Sequence, residues 1–405
     1  MTQETEPRPS TRNAEVPVRG LRLITVTMAV ACGLAVANLY YAQPLLALVA
    51  QSFQVSQGAA TVVVTVTQFG YAIGLVVLLP LGDLVNNRKL ASRTIIGTAV
   101  ALAIAAVAPD FGLFLAMSVL IGVTSVVAQI LVPFAAHLAP PEHRGKLVGQ
   151  VMSGLLLGIL LARTVASLVA AEWGWRSIYV VSAVLMVALS VALARILPDR
   201  EPDHQASYRK LMGSILELVR TEPVLRRRAF CQAMLFGAFT SFWTAIAYEL
   251  ISAHHFNQIQ IGIFALVGAT GAAVAPLAGR LADRGHGHLG SAAALVIGIG
   301  AMLLADFGAS SVLLLALAGV LLDVAVQSHQ SFSQRDIYGL RSDARARINT
   351  VFMGTVFIGG AAASAVSGWL HDVYGWPGVT VFSAALLALA GIVWAVGHVR
   401  QPVRS

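Results

Sequence analysis

Three ionisable residues stand inside stretches that are otherwise apolar: Asp323, Arg163 and Glu249. A charge in hydrocarbon is costly, so such a residue faces a cavity or a partner. Asp323 lies about 12 residues into the run from Ser311 to Ile337, near the middle of a helical crossing. Gln327 and Gln330 follow it by four and seven residues, on one helical face, with His329 on another side. A carboxyl whose exposure alternates takes up a proton on one side and releases it on the other, because burial disfavours its charged form. Asp323 is therefore a candidate proton-coupling or cation-binding group; the other reading is a structural carboxylate. Arg163 could bind an anionic substrate group, pair with a buried acid, or reach outward to the interface. Glu249, five residues before His254, is a second candidate proton site.

Neutral polar residues complete a candidate substrate pocket. Asn38, Tyr41 and Gln43 share one run, Gln68 and Gln129 lie in two others, and Trp243 and Tyr248 precede Glu249. Tyr and Trp offer stacking area with a polar tip. Each of these residues could equally serve as a hydrogen bond between helices. Asn349 and Thr350 sit at the start of a later run. Enzyme signatures are missing: the chain has no HExxH pair, no nucleophile elbow, no Cys/His cluster and no phosphate-binding Gly-Lys-Ser/Thr loop. No enzyme activity, cofactor or metal is expected. Cys32 and Cys231 each lie in an apolar run, as inert packing thiols do.

The elements that position these residues follow from composition. Of 405 residues, 57% are hydrophobic and 11% charged, against about 25% charged in a soluble domain. Lipid must cover such a surface. A helix needs about 20 apolar residues to cross a bilayer, and twelve runs are candidates, the third of them short. In the first half they are roughly Leu21–Ala50, Ala59–Gly82, Arg93–Ala108, Phe111–Leu138, Lys146–Ala170 and Ser177–Leu197. In the second half they are roughly Arg228–His254, Ile259–Ala282, Gly290–Phe307, Ser311–Ile337, Ala346–His371 and Pro377–His398. The expected fold is an all-α membrane protein of two six-helix bundles, over 21–197 and 228–398. Residues 1–20 and 399–405 are read as tails.

The net charge of +8 does not point to nucleic acid, because the basic residues lie in short loops between apolar runs. One set of loops carries Arg88, Lys89, Arg93, Arg144, Arg195, Arg200, Arg226 to Arg228, Arg280, Arg284, Arg341 and Arg345, while the opposite set holds Arg176. The positive-inside rule then places both termini in the cytoplasm. The central stretch over 198–227 is polar, and its part from Tyr208 to Arg220 has Leu211, Ile215 and Leu218 at helical spacing. It reads as an amphipathic helix on the membrane surface, followed by Arg226 to Arg228 anchored on anionic headgroups.

The halves also repeat. With Gly174-Trp175 placed on Gly375-Trp376, an offset of 201 residues, Arg144 falls on Arg345, Met152 on Met353, Gly158 on Gly359 and Ser182-Ala183 on Ser383-Ala384. Arg163 falls on Ser364, so its charge breaks the symmetry. Duplicated blocks of spans are the layout of many secondary transporters, with the substrate site between the repeats near the midplane.

After the eighth run the chain reads Gly279-Arg280-Leu281-Ala282-Asp283-Arg284-Gly285, and after the second Pro80-Leu81-Gly82-Asp83-Leu84-Val85-Asn86-Asn87-Arg88-Lys89. With six plus six spans, these loops resemble the major facilitator superfamily and its Gly-x-Leu-Ala-Asp-Arg-x-Gly signature. The resemblance implies a gating role for Asp83, Arg88, Lys89, Gly279, Asp283 and Arg284. Asn38-Leu39-Tyr40-Tyr41-Ala42-Gln43-Pro44-Leu45-Leu46, with Trp243 and Phe357-Ile358-Gly359-Gly360, is similar to a bacterial subgroup of efflux permeases. That likeness implies a monomer in the inner membrane, surrounded by lipid, exchanging protons for a small molecule in the manner of a multidrug antiporter. Ser118 and the proline-free fifth run depart from the usual antiporter pattern. Proton-coupled uptake of a metabolite or organic anion is the alternative.

Overall fold

The computed structural model describes residues 18–138, 143–199, 207–268, 277–281, 284, 287–341 and 344–399. Among them, in chain order, the α-helices are α1 Val18–Ala37, α2 Leu46–Phe53, α3 Gln57–Val77, α4 Asn87–Ala106, α5 Phe111–Thr124, α6 Val127–Leu138, α7 Arg144–Trp173 and α8 Arg176–Ile196. They continue with α9 Tyr208–Thr221, α10 Pro223–Ser252, α11 Gln258–Ala265, α12 Gly287–Phe307, α13 Val312–Tyr338 and α14 Arg345–Val399. Nine described helices are long and apolar enough to cross a membrane, and Leu21–Ala37 and Gln258–Gly268 are shorter apolar helices. The chain is a multi-pass helical membrane protein. Residues 1–17, residues 400–405 and Asp283 lie outside the described residues, as does the side chain of Asp83.

Polar residues set where the helices start. Ser56 accepts from the Ala59 N–H at 3.0 Å, Asn86 from Lys89 at 3.2 Å and Asp110 from Leu113 at 2.9 Å. Asn257 and Gln260 form a reciprocal capping box at α11.

The internal repeat is visible in the backbone. Gly174 (φ 79°) and Gly375 (φ 63°) both take the left-handed conformation that a side chain would strain. Gly174 separates α7 from α8, and Gly375 folds α14 into two arms. The tryptophan after each glycine is buried. Trp175 packs edge-on against Phe114 and Tyr179, and the Trp376 indole N–H donates to the Ala305 carbonyl at 2.9 Å.

Small residues let the helices pack closely. In the first half α1 lies on α7, α3 on α5 and α4 on α8. A Cβ on Gly33 would come within 2.6 Å of the Gly154 carbonyl oxygen. In the second half α10 lies on α14 and α12 on α13, and a Cβ on Gly359 would come within 2.7 Å of Ala233. Contacts of this closeness are the usual currency of helix association in lipid. The halves meet where α3 runs along α14 and where α7 runs along α11.

Three expectations change. The run from Leu21 to Ala50 is not one helix: α1 stops at Ala37, residues 38–42 turn, and Gln43–Leu45 form one 3-10 turn before α2. Pro44 supplies no N–H donor, and the freed backbone is buried where two halves meet. The central amphipathic helix, α9, covers its apolar face with protein: Ile215 and Leu218 are buried, and the Tyr208 hydroxyl donates to the Val77 carbonyl at 3.2 Å. Arg228 is buried rather than set among headgroups, donating to Ser291 Oγ at 2.8 Å and pairing with Asp336.

Candidate functional site

The break between α1 and α2 points Gln43 at α7. There the Arg163 Nε–H donates to Gln43 Oε1 at 2.6 Å, with both residues buried. Aromatic rings surround the guanidinium: its carbon lies 4.5 Å from the Trp243 ring centre, 4.9 Å from Tyr40 and 5.3 Å from Phe239. Each such contact contributes roughly 0.5–2 kcal/mol, the larger values in desolvated sites. Phe239 and Trp243 sit one helical turn apart on α10 and so share a face.

The same indole holds the acid. The Trp243 Nε1–H donates to Asp323 Oδ1 at 3.0 Å, and Asp323 is 5% exposed, so the α13 run does bury its carboxyl in the protein. Gly268, in the 3-10 turn after α11, closes over the pair. A Cβ there would lie 2.9 Å from Asp323 Oδ2 and 3.0 Å from the Trp243 ring. One tryptophan thus offers its face to a fixed cation and its edge to a carboxyl. Among the described residues no carboxylate forms an ion pair with Arg163.

Several side-chain atoms at this centre have no hydrogen-bond partner: Arg163 Nη2, Gln43 Nε2 and, nearby, Gln68 Oε1. Gln68 Nε2 donates to Thr240 Oγ1 of the other half at 3.4 Å. Buried unpartnered polar groups cost about 1–3 kcal/mol each, so each calls for a partner such as a bound water, an ion or a ligand.

The remaining candidates lie elsewhere. Asn38 accepts from Ser182 Oγ at 2.6 Å and donates to the Ala35 carbonyl at 3.2 Å, and Tyr41 is buried beside the same Ser182, so both pack within the first half. Gln129 accepts from Asn349 Nδ2 at 3.2 Å, toward the end of the bundle that carries Arg88, Lys89, Arg144, Arg280 and Arg345, called here the basic end. A small cavity of about 60 Å³ lies there between the halves, lined by Gln129, Phe134, Leu211, Arg347 and Thr350 among others. Gln327 and Gln330 are half-buried, and neither hydrogen-bonds to Asp323 or Arg163. Glu249 is half-buried beside His254, six residues beyond Trp243 along α10. Of the gating candidates, Arg88 is half-buried in the first turn of α4, Lys89 and Arg284 are exposed, and Gly279 is half-buried with open space beside it.

The opposite, far end of the bundle holds a set of contacts that sequence reasoning missed. Asp372, on α14, accepts from Ser56 Oγ at 3.0 Å and from the Gly58 N–H at 2.9 Å, capping α3 from the other half. The Tyr248 hydroxyl donates to the Gln57 carbonyl at 3.1 Å. Gln258 donates to the Pro44 carbonyl and to Ser167 Oγ, both at 2.9 Å. Tyr248, expected in the substrate pocket, belongs to this closure. Within the second half His329, also unread as a site, is fully buried and bonds Gln232 Oε1 at 2.6 Å.

A bundle of apolar helices in two repeats, meeting at a buried charged centre and bridged by polar contacts at one end, is the architecture of a membrane transporter. The chain belongs to the Major Facilitator Superfamily, whose family model matches residues 28–328 and again 228–405. It is 42% identical over 382 residues to the uncharacterised transporter YgaY of Escherichia coli O157:H7, covering 93% of this chain and 96% of the relative. It is 33% identical over 382 residues to a chain of Streptomyces coelicolor named as a transporter, SCO4007, covering 94% of this chain and 88% of that one. Among solved structures, the nucleoside transporter NupG aligns with a TM-score of 0.72 at 15% identity, over 92% of this chain and 99% of that one.

Proposed function

We propose that this chain exports a small organic molecule by proton-coupled alternating access, with Asp323 as the proton site. The observation that carries the reading is the hydrogen bond from Trp243 to a buried carboxyl, on the same indole whose face covers the Arg163 guanidinium. Substrate that displaces Trp243 changes the surroundings of both charges at once, so proton and substrate occupancy are linked through one side chain. Gln43, Arg163, Trp243 and Gln68 line the substrate region.

Twelve crossings in two six-helix bundles, with the basic loops facing the cytoplasm of the inner membrane, give the bilayer frame of this reading. In that frame the closure around Asp372 shuts the outer side and the cavity near Gln129 faces inward. Opening outward breaks the Asp372 contacts and brings the loops around Asp83, Arg88 and Lys89, and around Gly279, Asp283 and Arg284, against the opposite half. Glu249 then belongs to the outer vestibule, one residue beyond Tyr248, with coupling resting on Asp323.

The test is substrate-triggered proton movement in proteoliposomes under an imposed pH gradient. The panel holds lipophilic cations, neutral drugs, sugars and organic acids, and the native protein is compared with Asp323→Asn. Proton efflux from acidic vesicles that depends on one compound and is lost in the variant is expected. Normal coupling in Asp323→Asn would remove the acid from the mechanism. Substrate and protons moving in the same direction would make the chain an uptake symporter instead.

A further inference from the structure

We infer that the substrate carries a carboxylate, received by Arg163 Nη2 and Gln43 Nε2 together, with its apolar body packed against Tyr40, Phe239 and Trp243. The inference deepens the transport reading above and rests on it for the site, though not for the direction or coupling of transport.

Arg163 is 3% exposed and Gln43 is fully buried, yet one nitrogen of each lacks a partner. The two are held in fixed register, because Arg163 Nε already donates to the other atom of the same Gln43 amide. Two neighbouring N–H groups on planar side chains match the two oxygens of a carboxylate, and charge-assisted bonds of this kind are stronger than neutral ones.

Charge points the same way. Among the described residues Arg163 has no carboxylate within ion-pair distance, and the Asp323 carboxyl is turned to the Trp243 indole. Asp323 still interacts electrostatically with Arg163 across the shared indole, but without a direct ion pair the desolvated guanidinium remains costly, and a substrate carboxylate would supply that contact.

The walls set the rest of the molecule. Three aromatic rings lie within 5.3 Å of the guanidinium carbon, and Phe236 stacks on Phe239 with ring centres 5.5 Å apart. Such surroundings favour a flat apolar or aromatic body over a polyol.

The experiment is calorimetric binding to the full chain in detergent micelles, using benzoate, 1-naphthoate and acetate, with benzamide and benzylammonium as neutral and cationic counterparts. We expect an aromatic carboxylate to bind, benzamide to bind at least tenfold more weakly, and benzylammonium not to bind. Arg163→Gln should weaken carboxylate binding roughly 10- to 100-fold, and Gln43→Leu by less, as befits a charged and a neutral donor. Thermal unfolding of the same variants without ligand guards against misfolding. Arg163→Gln forfeits the Gln43 bond and the ring contacts, so it should melt lower than the native protein. Binding is therefore read well below both melting points, and Arg163→Lys, which keeps the charge, should recover part of the carboxylate affinity that Arg163→Gln loses. Equal or tighter binding of benzamide or benzylammonium, failure of every carboxylate to bind, or undiminished binding in Arg163→Gln would each overturn the inference. Each of those results leaves proton-coupled transport of another substrate standing. Carboxylate binding without any flux would do the reverse.

Discussion

The two ends of the interface between the halves are built from different materials. At the far end a carboxylate from one half, Asp372, caps a helix of the other, and Tyr248 and Gln258 add hydrogen bonds across the gap. At the basic end the described bridge is neutral: Asn349 to Gln129, supported by Tyr338, with a cavity alongside. Between them the halves touch through apolar contacts such as Tyr71 on Phe357, with ring centres 4.4 Å apart. Opening one end wets apolar surface while closing the other buries a comparable amount, so this contribution largely cancels between the two arrangements. A few polar bonds at one end therefore decide which end is closed, and that is the condition for a reversible switch.

The largest effect should come from Asp372→Ala, which removes two acceptors from the N-terminus of α3 at once. Hydrogen bonds to a charged group contribute about 1.5–3 kcal/mol, enough to shift the populations of the two arrangements roughly 10- to 100-fold. Thr61→Cys, buried just below this closure, reports on the shift, since Cys32 and Cys231 are themselves buried and contribute little background labelling. Maleimide labelling at Thr61→Cys should rise at least about tenfold when Asp372→Ala is added. An unchanged rate would mean that Asp372 does not hold this end, leaving it to the Tyr248 and Gln258 bonds and to apolar packing. Gly58→Ala is the next in size. Its Cβ would be driven into the Asp372 carboxylate and within 2.8 Å of the Gly368 carbonyl. The Gly58 N–H remains, so labelling should rise by less than with Asp372→Ala, and a decrease would show that α3 moves to tighten the contact.

Much of the frame could be read in the residues. The Gly-Trp pairs at 174–175 and 375–376 gave the repeat, and both glycines take the φ that explains them. Gln43, Arg163, Trp243 and Asp323 stood out as polar groups in apolar sequence, and they do converge. Phe239 was within reach of the same logic, being one turn before Trp243 on α10. Asn38 and Gln43, five residues apart, part company because the helix breaks between them, one bonding to α8 and the other to α7. Periodicity is blind to such a break, although Pro44 marks it. Gln327 and Gln330 share a helical face with Asp323 only approximately, and the carboxyl turns instead to an indole on another helix. Asp372 looked like a loop residue, because nothing local says that a carboxylate will meet the N-terminus of a helix 314 residues earlier in the chain.

The smallest effect belongs to the neutral bridge at the basic end. Asn349→Ala removes the donor to Gln129, which lines the cavity, and the acceptor for the Tyr338 hydroxyl, both partners being half-buried. Net hydrogen bonds between neutral groups contribute about 0.5–1.5 kcal/mol, and groups that reach water on losing a partner fall at the low end of that range. The expected change in Thr61→Cys labelling is therefore a decrease of about threefold or less, as the far end becomes the favoured closed side by a little more. The sign matters more than the size. If Asn349→Ala increased labelling at the far end, the two ends would be closing together rather than in alternation. The contrast between a charged closure and a neutral one would then describe two independent contacts, not the two sides of one equilibrium.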